Sequence, residues 1–156
     1  MTGSHDKAKH YALKLLTYRG RSEKEMEERL TKKGIAKTVV SSTVDYLRRI
    51  GLLDDRALAE SLKREAVTRK LLGYKGAKRF LINRGIPRGI VNAVLSDDEN
   101  EDIENARTLV DQKLTSYRNC SRQTARRRLY NLLLRRGYSS ETIMKVLRDK
   151  TFKEED

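Results

Sequence analysis

Apolar residues along this chain recur three and four positions apart, and almost nowhere in strict alternation, which predicts helices and no sheet. Ala8, Tyr11, Ala12, Leu15 and Leu16 form one such stripe and predict a helix over residues 6–18. Met26 and Leu30 belong to a second helix that stops at Gly34, and Val40, Val44 and Leu47 to a third over 37–50 that stops at Gly51. The pattern then restarts. Ala59, Leu62 and Ala66 predict a helix ending near Leu72-Gly73, and a short helix over 75–84 stops at Gly85. Pro87 sits where the next helix should begin, its fixed φ already suitable, ahead of Ile90, Val91, Val94 and Leu95. Ile103, Ala106, Leu109 and Val110 mark a seventh helix, residues 121–136 an eighth, and Ile143, Val146 and Leu147 a ninth.

Polar residues punctuate these stripes. Ser22-Glu23-Lys24-Glu25 reads as a capping box, with the Ser22 hydroxyl taking an orphan amide and Glu25 reaching back. Asp54 or Asp55 caps the fourth helix, and Ser139 or Ser140 the ninth. The acidic run from Asp97 to Asp102 suits the start of the seventh, because negative charge is favoured near the amide end of a helix.

The stops repeat. Leu30-Thr31-Lys32-Lys33-Gly34-Ile35, Leu81-Ile82-Asn83-Arg84-Gly85-Ile86 and Leu133-Leu134-Arg135-Arg136-Gly137-Tyr138 share a leucine four residues before the glycine, a basic residue before it and an apolar one after it. Superposing the glycines aligns Val40 with Val91 and Ile143, and Val44 with Leu95 and Leu147. A period of about fifty residues predicts an array of helical modules. The expected architecture is all-α: an elongated tandem array of three three-helix, helix-turn-helix-like repeats over residues 6–51, 52–96 and 97–150, with a frayed tail at 151–156. Modules this small are stabilised partly by stacking on their neighbours.

Thirty-five Lys and Arg against twenty-two Asp and Glu leave a net charge of +13, which points to nucleic acid or a nucleoprotein as partner. With 37% hydrophobic residues, 6% aromatic and no Trp, several small cores are expected in place of one large one. The single cysteine, Cys120, allows no disulfide within the chain and fits a reducing compartment. No apolar run reaches membrane-spanning length and no signal peptide is visible, so a cytoplasmic location is expected.

The residues make a poor case for an enzyme. His5 and His10 match no metal-binding spacing. Gly73-Tyr74-Lys75-Gly76 is too short for a phosphate loop and lacks its hydroxyl. The run Asp97–Asp102 resembles a calcium loop in charge only. No catalytic residue, metal or cofactor is therefore expected.

The cations are more telling because they cluster. Residues 113–148 hold ten Lys or Arg and a single acid, Glu141. A solvated face usually mixes signs, so this segment calls for a polyanion. A second cluster comprises Arg69, Lys70, Lys75, Lys78, Arg79, Arg84 and Arg88. The candidate binding residues are Arg69, Lys75, Lys78, Arg79 and Arg84 centrally and Arg126, Arg127 and Arg135 distally. Such contacts attract a phosphate backbone without choosing a sequence. Tyr74, Tyr117 and Tyr130 lie among them and could stack on bases. Asn92 is the only amide in the third helices of the repeats, which argues against a sequence-specific groove reader.

Gly51-Leu52-Leu53-Asp54-Asp55, Ala59, Arg69, Gly73-Tyr74, Gly76, Arg79, Leu81 and Arg84-Gly85-Ile86 together resemble the central signature of the RecX regulatory proteins. Ala12, Leu15-Leu16, Arg19, Ser22, Arg29-Leu30 and Lys33-Gly34 resemble that family's opening repeat, and the likeness extends over residues 8–149. The resemblance implies a curved array of three-helix repeats that binds the RecA recombinase, above all its filament on single-stranded DNA. It implies restraint of filament assembly, ATP turnover, strand exchange and co-protease action, and so a part in recombinational repair and the SOS response. The chain departs from the pattern at Ala77, where proline is frequent, and in the basic stretch 126–136, which would strengthen direct contact with DNA. The expected partners are the RecA filament and single-stranded DNA, with duplex DNA also possible, and the chain is expected to be a monomer. The alternative is an architectural or regulatory DNA-binding protein acting without a recombinase.

Overall fold

The computed structural model describes residues 3–150; the expected tail at 151–156 lies outside them. Among the described residues there are helices and no strands. The α-helices are α1 (Ser4–Tyr18), α2 (Glu23–Lys32), α3 (Lys37–Arg49), α4 (Asp55–Arg64), α5 (Tyr74–Asn83), α6 (Arg88–Val94), α7 (Glu99–Leu114), α8 (Arg122–Arg135) and α9 (Ser140–Asp149). The chain is divided into two compact units, Met1–Ser61 with Leu81–Val94, and Leu62–Phe80 with Leu95–Asp156.

The glycine phrases owe their likeness to one helix ending. At each, the glycine amide donates to the carbonyl three residues back, and the next amide donates to the carbonyl of the leucine. The distances are 3.0 and 3.2 Å at Gly34, 2.9 and 3.2 Å at Gly85, and 3.1 Å for both at Gly137. This is the Schellman arrangement, in which the residue at the turn is left-handed and the leucine packs against the apolar residue that follows. The three glycines have φ of +93°, +86° and +91°, where a Cβ is strained. Leu30, Leu81 and Leu133 are completely buried.

In the first unit Ala8, Ala12, Leu15, Met26, Leu30, Val44 and Leu47 form the core. The expected caps are half right. The Ser22 Oγ accepts from the Glu25 amide at 3.0 Å, but the Glu25 carboxylate turns away to bind Arg19 and Arg21. The reciprocal half of the capping box is thereby lost to stronger, charge-assisted partners. Asp54 caps α4, accepting from the Ala57 amide at 3.1 Å. Its neighbour Asp55 is buried and accepts from the Glu23 amide at the start of α2, 2.9 Å away. Pro87 precedes α6 and its carbonyl accepts from Ile90 and Val91.

In the second unit Ala106, Leu109 and Val110 of α7 meet Leu129 and Leu133 of α8 and Ile143, Val146 and Leu147 of α9. Asp98, Ser121 and Ser139 each accept from a first-turn amide of α7, α8 and α9 respectively. The helix expected to end near Leu72-Gly73 instead loosens at Glu65–Arg69 into a π turn. Leu71 then turns left-handed at φ +51° and enters the core. Burial of that leucine is what a local reading of helix signals misses.

Candidate polyanion interface

The start of α5 is locked against the turn between α8 and α9. The Gly73 amide donates to the Arg136 carbonyl at 2.9 Å. The Tyr138 hydroxyl donates to the Leu71 carbonyl at 2.6 Å, and burial pushes its phenol well above the ordinary value. The Arg136 guanidinium donates to the Lys70 carbonyl. A Cβ on Gly76 would lie 2.1 Å from the Arg136 carbonyl oxygen, and one on Gly137 would lie 2.0 Å from the Gly76 nitrogen. Backbone thus meets backbone, which only glycine permits at both positions. Asp102 of α7 completes the junction by accepting from the Tyr74 amide at 3.1 Å. Its carboxyl is raised above the usual range by desolvation first, and also by Asp97, Glu101 and Asp98.

This junction fixes where the cations of α5 stand. Lys75 and Arg79 are exposed, one helical turn apart, and Lys78 is half-buried beside them. Lys75 and Arg79 line a cleft of about 450 Å³ together with Leu134, Gly137, Ser139 and Ser140. Arg135 adjoins Leu134 on α8, and Arg127 lies two turns earlier on the same stripe; both are exposed. Arg69 is exposed at the end of the π turn. None of Arg69, Lys75, Lys78, Arg79, Arg127 and Arg135 forms an ion pair or side-chain hydrogen bond with the described residues.

The two other expected residues are placed differently. Arg126 reaches inward, its Nη1 donating to the Leu147 carbonyl near the end of α9 at 3.4 Å. Arg84, in the first unit, donates to the Gly20 carbonyl at 3.3 Å, and its Nε stands 4.0 Å from Glu25. Nearby arginines of that unit are also answered internally: Arg19 and Arg21 by Glu25, Arg48 by Glu23 and Asp45, Arg49 by Asp45 and Arg56 by Glu60. The uncompensated part of the expected site is therefore in the second unit. Tyr117 and Tyr130 pack partly buried on the core there, and Tyr117 carries the Arg128 guanidinium over its ring at 5.9 Å. Cys120 Sγ lies 3.5 Å from Arg128 Nη1.

A second cleft of about 370 Å³ adjoins the first and shares Lys75, but Asp97, Glu99, Asp102 and Glu141 line it. The face is thus basic on the Arg79 side and acidic on the α7 side. Sequence reasoning overlooked Leu134, which is 50% exposed. Its signal was present: three successive leucines, 132–134, cannot all face inward on a helix of 3.6 residues per turn.

Residues 8–47 match the family model described as RecX, first three-helix domain, and residues 99–147 match RecX, third three-helix domain. The regulatory protein RecX of Mycolicibacterium smegmatis is 32% identical over 152 residues, covering 91% of this chain and 78% of that protein. That of Staphylococcus carnosus is 29% identical over 144 residues, covering 92% of this chain but only 54% of the relative, so the chain spans about half its length. The crystal structure of RecX from Lactobacillus salivarius superposes with a TM-score of 0.77 at 25% identity, over 96% of this chain and 97% of that one. No helix among the described residues is long and apolar enough to cross a membrane. With matched opening and closing three-helix domains and a relative similar across most of both lengths, this chain belongs to the RecX family of regulatory proteins.

Proposed function

We propose that the protein is a non-catalytic modulator of the RecA filament on single-stranded DNA, restraining its assembly and its ATP turnover, strand exchange and co-protease action. Family membership supports this reading, and the observation that carries it furthest is the set of six cations in the second unit with no internal partner. Arg69, Lys75, Lys78, Arg79, Arg127 and Arg135 offer positive charge that folding does not consume. Each phosphate they meet releases condensed counterions, so engagement weakens steeply with salt. Arg84 and Arg126 act on this reading through structure, by holding helix ends, and contribute less to direct contact. Through its effect on the filament the protein would modulate recombinational repair and the SOS response.

The test is DNA-dependent ATP hydrolysis by RecA with increasing amounts of the purified protein at low salt, with filament length followed in parallel. Turnover should fall and filaments should shorten, and neutralising the six cations should abolish both effects. Unchanged turnover and unchanged filaments would refute the reading. Equal affinity for naked DNA and for the recombinase-coated strand, with no effect on turnover, would establish the recombinase-independent DNA-binding alternative.

A further inference from the structure

We propose that the cleft between α5 and the α8–α9 corner seats one nucleotide of single-stranded DNA, its phosphate against Lys75 and Arg79 and its base against Leu134. The inference deepens the filament-modulator reading and rests on it for the nature of the partner.

Three observations converge here. First, Lys75 and Arg79 project from adjacent turns of one helix and line the cleft without a carboxylate or carbonyl to satisfy them among the described residues. An arginine fork with a lysine beside it suits a phosphate, which both can contact through charged donors. Second, the α8 wall is a half-exposed leucine, an apolar surface that a monomeric protein has no folding reason to present beside two cations. Third, about 450 Å³ is at the lower end of the range for small-ligand sites, and the cleft is concave. It suits one unstacked nucleotide and not a duplex, whose bases are turned inward.

The surroundings set the path of the strand. Beyond Lys75 the neighbouring cleft carries Asp97, Glu99, Asp102 and Glu141, which repel a phosphate backbone. Along α8 the exposed stripe instead continues to Arg135 and Arg127. A strand seated at Arg79 therefore leaves along α8 and not along α7. An acidic peptide is the competing occupant; it matches the cations, but lacks a flat base to lie on Leu134.

The experiment is fluorescence anisotropy with labelled oligo-dT and with a duplex of equal length, without recombinase, across a salt series. At about half a decade per phosphate contact, Lys75→Gln with Arg79→Gln should weaken oligo-dT binding about tenfold at low salt and flatten the salt slope by about 1.4. Leu134→Gln, a surface change on a helix, should weaken oligo-dT severalfold and leave duplex affinity unaltered. A charge-matched pair in the first unit, Arg29→Gln with Lys32→Gln, should do markedly less. Circular dichroism confirms that each variant is folded. The proposal is overturned if the control pair weakens binding equally, if Leu134→Gln has no effect on oligo-dT, or if poly-Glu competes as well as unlabelled oligo-dT of equal charge. The RecA turnover assay with wild-type protein is a separate readout. If turnover is suppressed while the cleft variants bind oligo-dT normally, the cleft proposal alone falls. If the variants lose oligo-dT but wild-type protein leaves turnover untouched, the filament reading alone falls.

Discussion

Replacing Gly76 by alanine sets two effects against each other, and the structure says which wins. Gly76 lies inside α5, where alanine is favoured over glycine by about 1 kcal/mol. Against this, the added Cβ would stand 2.1 Å from the Arg136 carbonyl oxygen and 2.9 Å from its carbonyl carbon. Carbon and oxygen in ordinary close contact are about 3.3–3.6 Å apart, so helix and turn must separate by roughly 1 Å. That carbonyl also accepts the Gly73 amide at 2.9 Å, and such a separation breaks the bond. Overpacking costs about 1–3 kcal/mol and the lost hydrogen bond about 0.5–1.5. Net destabilisation of about 1–3 kcal/mol is expected. Gly89 of α6 supplies the opposite case, because a Cβ there meets nothing within 4 Å. Gly89→Ala should therefore be neutral or stabilising by up to about 1 kcal/mol. Urea unfolding followed by far-ultraviolet circular dichroism measures both. A Gly76→Ala midpoint at or above wild type would refute the claim that backbone contact at this corner decides stability, as would equal and same-signed shifts in the two variants.

Other substitutions test the same logic elsewhere. Gly34→Ala meets no neighbour and bears only the left-handed backbone penalty of about 1–2 kcal/mol, whereas Gly137→Ala adds a 2.0 Å collision and should cost considerably more in the same urea assay. Tyr138→Phe removes the donor to the Leu71 carbonyl and should destabilise by about 1–3 kcal/mol in thermal or chemical melts, with little change in core packing. Asp102 has its carboxyl raised by desolvation, so its folded state holds a proton more tightly than its unfolded state. Its contribution to stability is complete below the unfolded carboxylate range and is lost as pH rises through the folded value. Asp102→Asn keeps an acceptor for the Tyr74 amide without the charge, and its stability relative to wild type should rise between acidic and neutral pH in paired thermal melts; a flat difference would contradict the burial argument.

The sequence by itself determined the helices and their endings. Schellman stops need a leucine, a left-handed glycine and an apolar successor within six residues, so the endings at Gly34, Gly85 and Gly137 are written locally and could be aligned by eye. The caps at Ser22 and Ser139 are local in the same sense. Tertiary structure decided what neighbours compete for. Asp54 and Asp55 look alike in the chain, yet one caps its own helix and the other serves an amide thirty-two residues away. Arginines looked equivalent as well. Arg84 and Arg126 are drawn to carbonyls that only folding brings near, while Lys75, Arg79 and Arg127 are left without an internal partner. Charge is a property of composition, but whether a charge is already answered depends on distances of a few ångströms between distant segments, because hydrogen bonds and ion pairs decay over that length.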